Sequence, residues 1–67
     1  MHDLSIIIPS YNESHQGLEK LSSELKELGA EVIIVDDGSE HPYPNAIKHG
    51  VNQGYGSALM TGIKNAT

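Results

Sequence analysis

Leu4-Ser5-Ile6-Ile7-Ile8-Pro9 and Glu31-Val32-Ile33-Ile34-Val35-Asp36-Asp37-Gly38-Ser39 are the two stretches whose reading decides the fold. Each opens with a short, β-branched apolar run and stops at residues that break a ladder, the pattern of a strand buried on both faces. Pro9 has no N–H to give to a ladder and is expected at the exit of the first strand. Between the two runs, Leu18, Leu21, Leu25 and Leu28 recur at spacings of three and four, one apolar stripe on an otherwise charged helix. Ser14 or Asn12 can cap its start and Gly29 can close it in the left-handed conformation. The stripe is read as core and not as a binding surface. Strand, helix, strand is a βαβ unit, whose strands pair in parallel through a right-handed crossover. The polar loops at 9–14 and 36–39 then follow the carboxyl ends of neighbouring strands, where ligands bind in open α/β sheets.

Downstream, Pro42 and Pro44 exclude a helix through residues 40–44. Residues 45–50 are read as a third, short strand, 52–56 as a loop and 57–66 as a helix. In that helix Ala58, Gly62 and Ala66 stand four apart, a flat face that lets the backbone lie close to a sheet, with Leu59 and Ile63 beside it. The expected fold is α/β: a small Rossmann-like, three-stranded, mostly parallel sheet with two helices in the order βαβ(β)α. Residues 1–67 form one unit, without repeat, linker or low-complexity stretch.

Sixty-seven residues make a small core, and a domain of that size buries only about 60% of the surface its unfolded chain exposes. With no cysteine in the chain, neither disulfides nor a thiolate zinc site can reinforce it. The net charge is −5, there is no arginine, and Lys20, Lys26, Lys48 and Lys64 are scattered. That balance disfavours phosphate-driven nucleic-acid binding and an anionic-membrane surface site. The apolar runs 6–8 and 32–35 are far shorter than the roughly 20 residues of a spanning helix. Met1-His2-Asp3 lacks the basic region of a signal peptide, so a soluble, cytoplasmic chain is expected.

Asp36 and Asp37 stand where a buried strand meets solvent. A carboxylate there can accept hydrogen bonds from a base or ribose, or ligate a hard cation. It can equally make an Asx turn with Gly38. Two like charges on one turn cost energy without a partner, which favours a functional role. Tyr11 can stack on a nucleobase or pack over the sheet edge. Glu13 can contact a ribose or phosphate, or act only as a favourable charge near a helix N-terminus. Gly54-Tyr55-Gly56 before a helix invites a dinucleotide-binding reading, but the third glycine of that fingerprint falls at Leu59, and the loop does not follow the first strand. Its backbone N–H groups can receive an anion, or the glycines can serve a tight approach to a packed helix. His2, His15, His41 and His49 lack metal-ligand spacing and are expected on the surface or in loops. No Ser/His/Asp or Cys/His set suggests a nucleophile.

Three segments together are similar to the start of the family 2 glycosyltransferases: Ile6-Ile7-Ile8-Pro9-Ser10-Tyr11-Asn12-Glu13, Val35-Asp36-Asp37-Gly38-Ser39, and Asn52-Gln53-Gly54-Tyr55-Gly56-Ser57-Ala58-Leu59-Met60-Thr61-Gly62. The third most resembles the polyprenyl- or dolichol-phosphate hexosyltransferase branch. The resemblance implies the GT-A fold and a UDP- or GDP-sugar donor. Pro9, Tyr11 and Glu13 would line the nucleotide pocket, with Tyr11 against the base. Asp37 would hydrogen-bond the base, Asp36 would support the turn, and Gly54 and Gly56 would shape the adjoining loop. It further implies a divalent metal (Mg2+ or Mn2+) in the full-length parent, held by a later D-x-D motif, and an acceptor such as a polyprenyl phosphate or a glycan. The parent is expected to be membrane-associated.

Two features depart from the family pattern. No aspartate follows Asp37, so neither a D-x-D motif nor a later catalytic aspartate is present and no residue here is assigned a catalytic or metal-binding role. Residues 40–51 are also too few for the helix and longer strand that usually precede the third segment. The chain therefore reads as an N-terminal piece, weak or undetectable in nucleotide binding, inactive alone and prone to self-association through an open sheet edge. Two other readings stay open: a non-catalytic α/β interaction module, and a receiver-like signalling domain, whose acidic pair would have to follow the first strand.

Overall fold

The computed structural model describes residues 4–66. Among them are five elements: strand β1 (Ser5–Ser10), helix α1 (His15–Glu27), strand β2 (Glu31–Asp37), strand β3 (Ile47–His49) and helix α2 (Tyr55–Asn65). The strands form one sheet in the order β1-β2-β3, and both pairings are parallel. The fold is thus the α/β arrangement expected from the two apolar runs, with every pairing parallel.

β1 extends beyond the expected exit at Pro9. Pro9 lies within the strand opposite Val35, and Ser10 pairs with Asp36. The reason is position: β1 has a neighbour on one side only, and an edge strand tolerates a residue that cannot donate. Ser14 is the cap of α1, its side chain accepting from the Gly17 N–H at 3.1 Å. Gly29 closes the helix at φ 87°, its N–H donating to Lys26 and the Ala30 N–H to Leu25.

Strand alternation divides the core into two layers. Ile34 and half-buried Ile8 and Val32 meet Leu18 of α1 and Ala46 on one face. Ile33, Val35, Ile7 and Ile47 meet Ala58 and Ala66, from α2 and its end, on the other. α2 lies directly on the sheet: a Cβ added at Gly62 would stand 2.3 Å from Ile7 Cγ2. The flat Ala58–Gly62 face therefore does what its spacing suggests.

The leucine stripe of α1 needs correction. Leu18 is buried and Leu25 half-buried, but Leu21 is 43% and Leu28 82% exposed. The inward line is Leu18, Ser22 and Leu25, because α1 rests chiefly against β2 and the flanking leucines overhang it. α2 starts at Tyr55, two positions before the expected start at 57, since Gly54 at φ 98° makes the bend and frees Tyr55 for the first turn. Residues 38–46 cross from β2 to β3 without a helix. That span is shorter than the usual parallel crossover and is tightened by the turn in which the Ala46 N–H donates to Tyr43 O.

Candidate functional site

Both loops expected to carry function leave the sheet at one end, because β1 and β2 run parallel side by side. Successive residues of a strand point to opposite faces, which sends Asp36 toward the α1 layer and Asp37 toward the α2 layer. Each carboxylate has its own donors.

Asp36 is 1% exposed. Its Oδ2 accepts from the Ser39 N–H at 2.8 Å and its Oδ1 from the Ser39 hydroxyl, with the Ser10 hydroxyl at 3.4 Å. Ser39 Oγ in turn accepts from the Asn12 N–H at 2.7 Å, and Asn12 Oδ1 accepts from the Glu40 N–H at 3.0 Å. Asn12 sits at φ 54°, in the left-handed region that asparagine visits more readily than most residues. Asp36 thereby ties the loop after β1 to the loop after β2.

Asp37 works on the other face. Its Oδ1 accepts from His49 Nδ1 and from the Gln53 N–H, both at 2.8 Å, and its Oδ2 accepts from the Gly54 N–H at 2.8 Å. The Asn52 side-chain amide donates to the Asp37 carbonyl at 3.2 Å. The His49 bond first, then the Gln53 N–H, hold the Asp37 carboxyl below its ordinary value, against a smaller upward push from burial. The anion received by the loop before α2 is thus the chain's own carboxylate. The two aspartates need no external partner to offset their charges.

Gly38 makes this wrapping possible. It adopts φ 83°, and a Cβ there would lie 2.6 Å from Asn52 N and 2.8 Å from Val51 C, so the backbone of 51–52 passes directly over the turn.

Pro9, Ser10, Tyr11, Glu13, Asp37, Tyr55 and Ala58 line an open cleft of about 320 Å³ at the carboxyl end of the sheet. Tyr11 and Tyr55 are 53% and 70% exposed at its walls, and Asp37 lies within it. Concave sites of this size with an apolar lining and a few polar groups suit small ligands. A second hollow is lined by Asn12, Glu13, His15, Glu40 and His41, with imidazoles and no tyrosine.

Of the residues singled out by sequence, Pro9, Tyr11, Glu13 and Asp37 meet in the cleft. Asp36 braces the turn beneath it, and Gly54 bonds Asp37. Gly56 is exposed in the first turn of α2, with open space where a Cβ would stand. Sequence reasoning missed Tyr55, the stitching role of Asn12, and His49. His15 and His41 are exposed, and His2 lies outside the described residues. His49, however, is not a loop or surface residue: it is on β3 in register with Asp37, with a side chain 9% exposed, and its Nε2 meets Thr61 Oγ1 at 2.8 Å. Its sequence signal is its place in the 45–50 segment read as a strand, which leaves the register against β2 open.

The resemblance assigns the divalent metal to a later D-x-D motif of the full-length parent and none to this chain. Among the described residues no group of three or more His, Cys, Asp or Glu can hold an ion, and both aspartates are already engaged by donors of the chain. No helix among the described residues is long and apolar enough to cross a membrane.

Residues 5–67 match the family model described as Glycosyl transferase family 2. The chain is 40% identical over 75 residues to an uncharacterized glycosyltransferase of Rickettsia bellii, an alignment covering 92% of this chain and 11% of that protein. It is 33% identical over 70 residues to the uncharacterized protein MJ1222 of Methanocaldococcus jannaschii, covering 92% of this chain and 29% of that protein. No solved structure matches the chain significantly. The parallel α/β sheet with its cleft at the strand ends defines a small Rossmann-like unit. The chain belongs to glycosyl transferase family 2. It spans less than a third of the length of either relative.

Proposed function

We propose that this chain forms the nucleotide-binding half of a glycosyltransferase site and takes the base and ribose of a UDP- or GDP-sugar in the cleft between Tyr11 and Tyr55. The observation that carries the reading is convergence: Tyr11 and Asp37 leave neighbouring parallel strands and line the same hollow. An aromatic face supplies stacking to a base. A carboxylate has about four acceptor positions, and Asp37 uses three of them within the chain, two on Oδ1 and one on Oδ2. The remaining position on Oδ2 is suited to an N–H of uracil or guanine. Glu13, at the rim, is placed for a ribose hydroxyl. Asp36 and Asn12 contribute rigidity, holding the loop that bears Tyr11 against the turn that bears Asp37.

In the parent the reaction is displacement at the anomeric carbon of the sugar: an acceptor oxygen forms the new bond as the nucleoside diphosphate leaves. This chain binds and orients the leaving nucleotide. The third segment, 52–62, supports an acceptor of the polyprenyl-phosphate type.

A two-dimensional NMR titration of the chain with UDP, GDP, ADP and inorganic diphosphate at millimolar concentration tests the reading. Weak shifts centred on Tyr11, Asp37 and Tyr55 that depend on the base are expected, with no sugar transfer. Shifts reproduced in full by inorganic diphosphate, or centred outside the cleft, would remove the proposal. Robust transfer by the 67 residues alone would refute the assignment of half a site.

A further inference from the structure

Asp37 is held by a group the reading above leaves unused. His49 stands between Asp37 on β2 and Thr61 on α2, with Nδ1 2.8 Å from Asp37 Oδ1 and Nε2 2.8 Å from Thr61 Oγ1. An ionised carboxylate only accepts, so Nδ1 carries the proton at that contact. In the neutral ring Nε2 then accepts from the Thr61 hydroxyl, and the two bonds together select one tautomer and one ring orientation. The chain Thr61–His49–Asp37 runs between α2 and the sheet and ends at the carboxylate that grips the Gln53 and Gly54 N–H groups. Those two residues immediately precede Tyr55, the first residue of α2 and a wall of the cleft.

We propose that His49 is a positioning residue for the nucleotide cleft: anchored by Thr61, it fixes the Asp37 carboxylate so that one face holds the 53–54 backbone and the other is presented to the ligand. The arrangement resembles the orienting half of a Ser-His-Asp set, but the partially buried Thr61 serves as an anchor and no nucleophilic step follows. The loop-holding step stands on the distances alone. Its effect on the ligand rests on the nucleotide reading.

The test compares His49→Ala, His49→Gln and Thr61→Val with the parent chain. The first readout is NMR: the imidazole nitrogens, the amide signals of Gln53 and Gly54, and, as an internal reference, the amides of Asn12 and Ser39, which belong to the separate Asp36 network. The expected result is a parent ring protonated at Nδ1 with a hydrogen-bonded Nε2. In His49→Ala the Gln53 and Gly54 amides shift upfield or broaden while those of Asn12 and Ser39 stay put. His49→Gln, whose amide can donate to Asp37 and accept from Thr61, restores most of the pattern. Thr61→Val keeps the ring but frees its orientation and gives a smaller change in the same two amides, which preserves the test should His49→Ala fail to fold.

Under the nucleotide reading the affinity for UDP or GDP falls roughly five- to tenfold in His49→Ala and recovers in His49→Gln. Unchanged Gln53 and Gly54 amides in folded His49→Ala would overturn the positioning role. Amides that move as expected in a chain that binds no nucleotide would leave His49's structural role standing and defeat the nucleotide reading instead.

Discussion

Gly38 offers the sharpest perturbation, because the structure supplies its own control. Gly29 and Gly38 both adopt left-handed backbone, at φ 87° and 83°, but their surroundings differ. A Cβ at Gly29 meets nothing within 4 Å, whereas at Gly38 it would lie 2.6 Å from Asn52 N and 2.8 Å from Val51 C. Gly29→Ala therefore carries only the left-handed cost of about 1–2 kcal/mol, reduced by the about 0.4–1 kcal/mol that alanine contributes by restricting the unfolded chain. Gly38→Ala carries the same balance plus displacement of backbone, comparable to core overpacking at about 1–3 kcal/mol. The expected difference between the two variants is about 1–3 kcal/mol. For a chain of 67 residues, whose whole stability is about 3–10 kcal/mol, that is a large fraction. Urea unfolding followed by circular dichroism measures it: with a slope of about 1 kcal/mol per molar urea, the Gly38→Ala midpoint falls about 1–3 M below that of Gly29→Ala. Sucrose or trimethylamine oxide brings the transition into range if Gly38→Ala is unfolded in buffer. Asparagine at each position sharpens the comparison, since it eases the left-handed cost but keeps the Cβ. Equal midpoints for the two alanine variants would refute the close passage of residues 51–52 over the turn.

Other consequences follow from the same contacts. Gly62→Ala drives a Cβ into Ile7 and destabilises the chain by about 1–3 kcal/mol, a loss partly recovered by adding Ile7→Ala, which a double-mutant cycle in urea would detect. Ser39→Ala keeps the backbone N–H bond to Asp36 but removes the hydroxyl that donates to Asp36 and accepts from the Asn12 N–H, at about 1–2 kcal/mol, and hydrogen exchange at Asn12 should rise with it. The folded Asp37 carboxyl titrates below its unfolded counterpart, so its contribution to stability is full above the ordinary aspartate pKa and is lost as pH falls through the lower folded value. Stability measured against pH should show that acid loss in the parent and a weaker one in Asp37→Asn. Tyr11→Ala should weaken nucleotide binding by about tenfold in an NMR titration, the scale of one base–aromatic stack, without changing the unfolding free energy by more than about 0.5 kcal/mol, because the ring is 53% exposed.

Much of this was legible in the order of residues. Two β-branched runs flanking a capped helix imply parallel neighbours, and parallel neighbours bring the loops that follow them to one rim. Local period and turn chemistry suffice for that. They do not reveal which leucines of α1 face inward. That depends on where the helix axis crosses the sheet, and Leu28 is exposed where period alone would bury it. They also do not reveal that Asp37 is gripped by the backbone of residues 53–54, because the contact closes only when Gly38 lets a later loop lie over an earlier turn. His49 was hidden for a related reason. Its importance comes from register, opposite Asp37, and a strand of three residues leaves too little periodicity to set register from sequence.

The proposed function requires one spatial relation, a base held where Tyr11 and the free edge of Asp37 meet. Intermolecular nuclear Overhauser contacts between base protons of UDP or GDP and the ring of Tyr11, recorded on the chain at millimolar nucleotide, measure it most directly. Contacts to Tyr11 together with a shifted Asp37 carboxyl carbon are the predicted result. Contacts to His15 or His41 in the neighbouring hollow, with Tyr11 and Asp37 unperturbed, would contradict it.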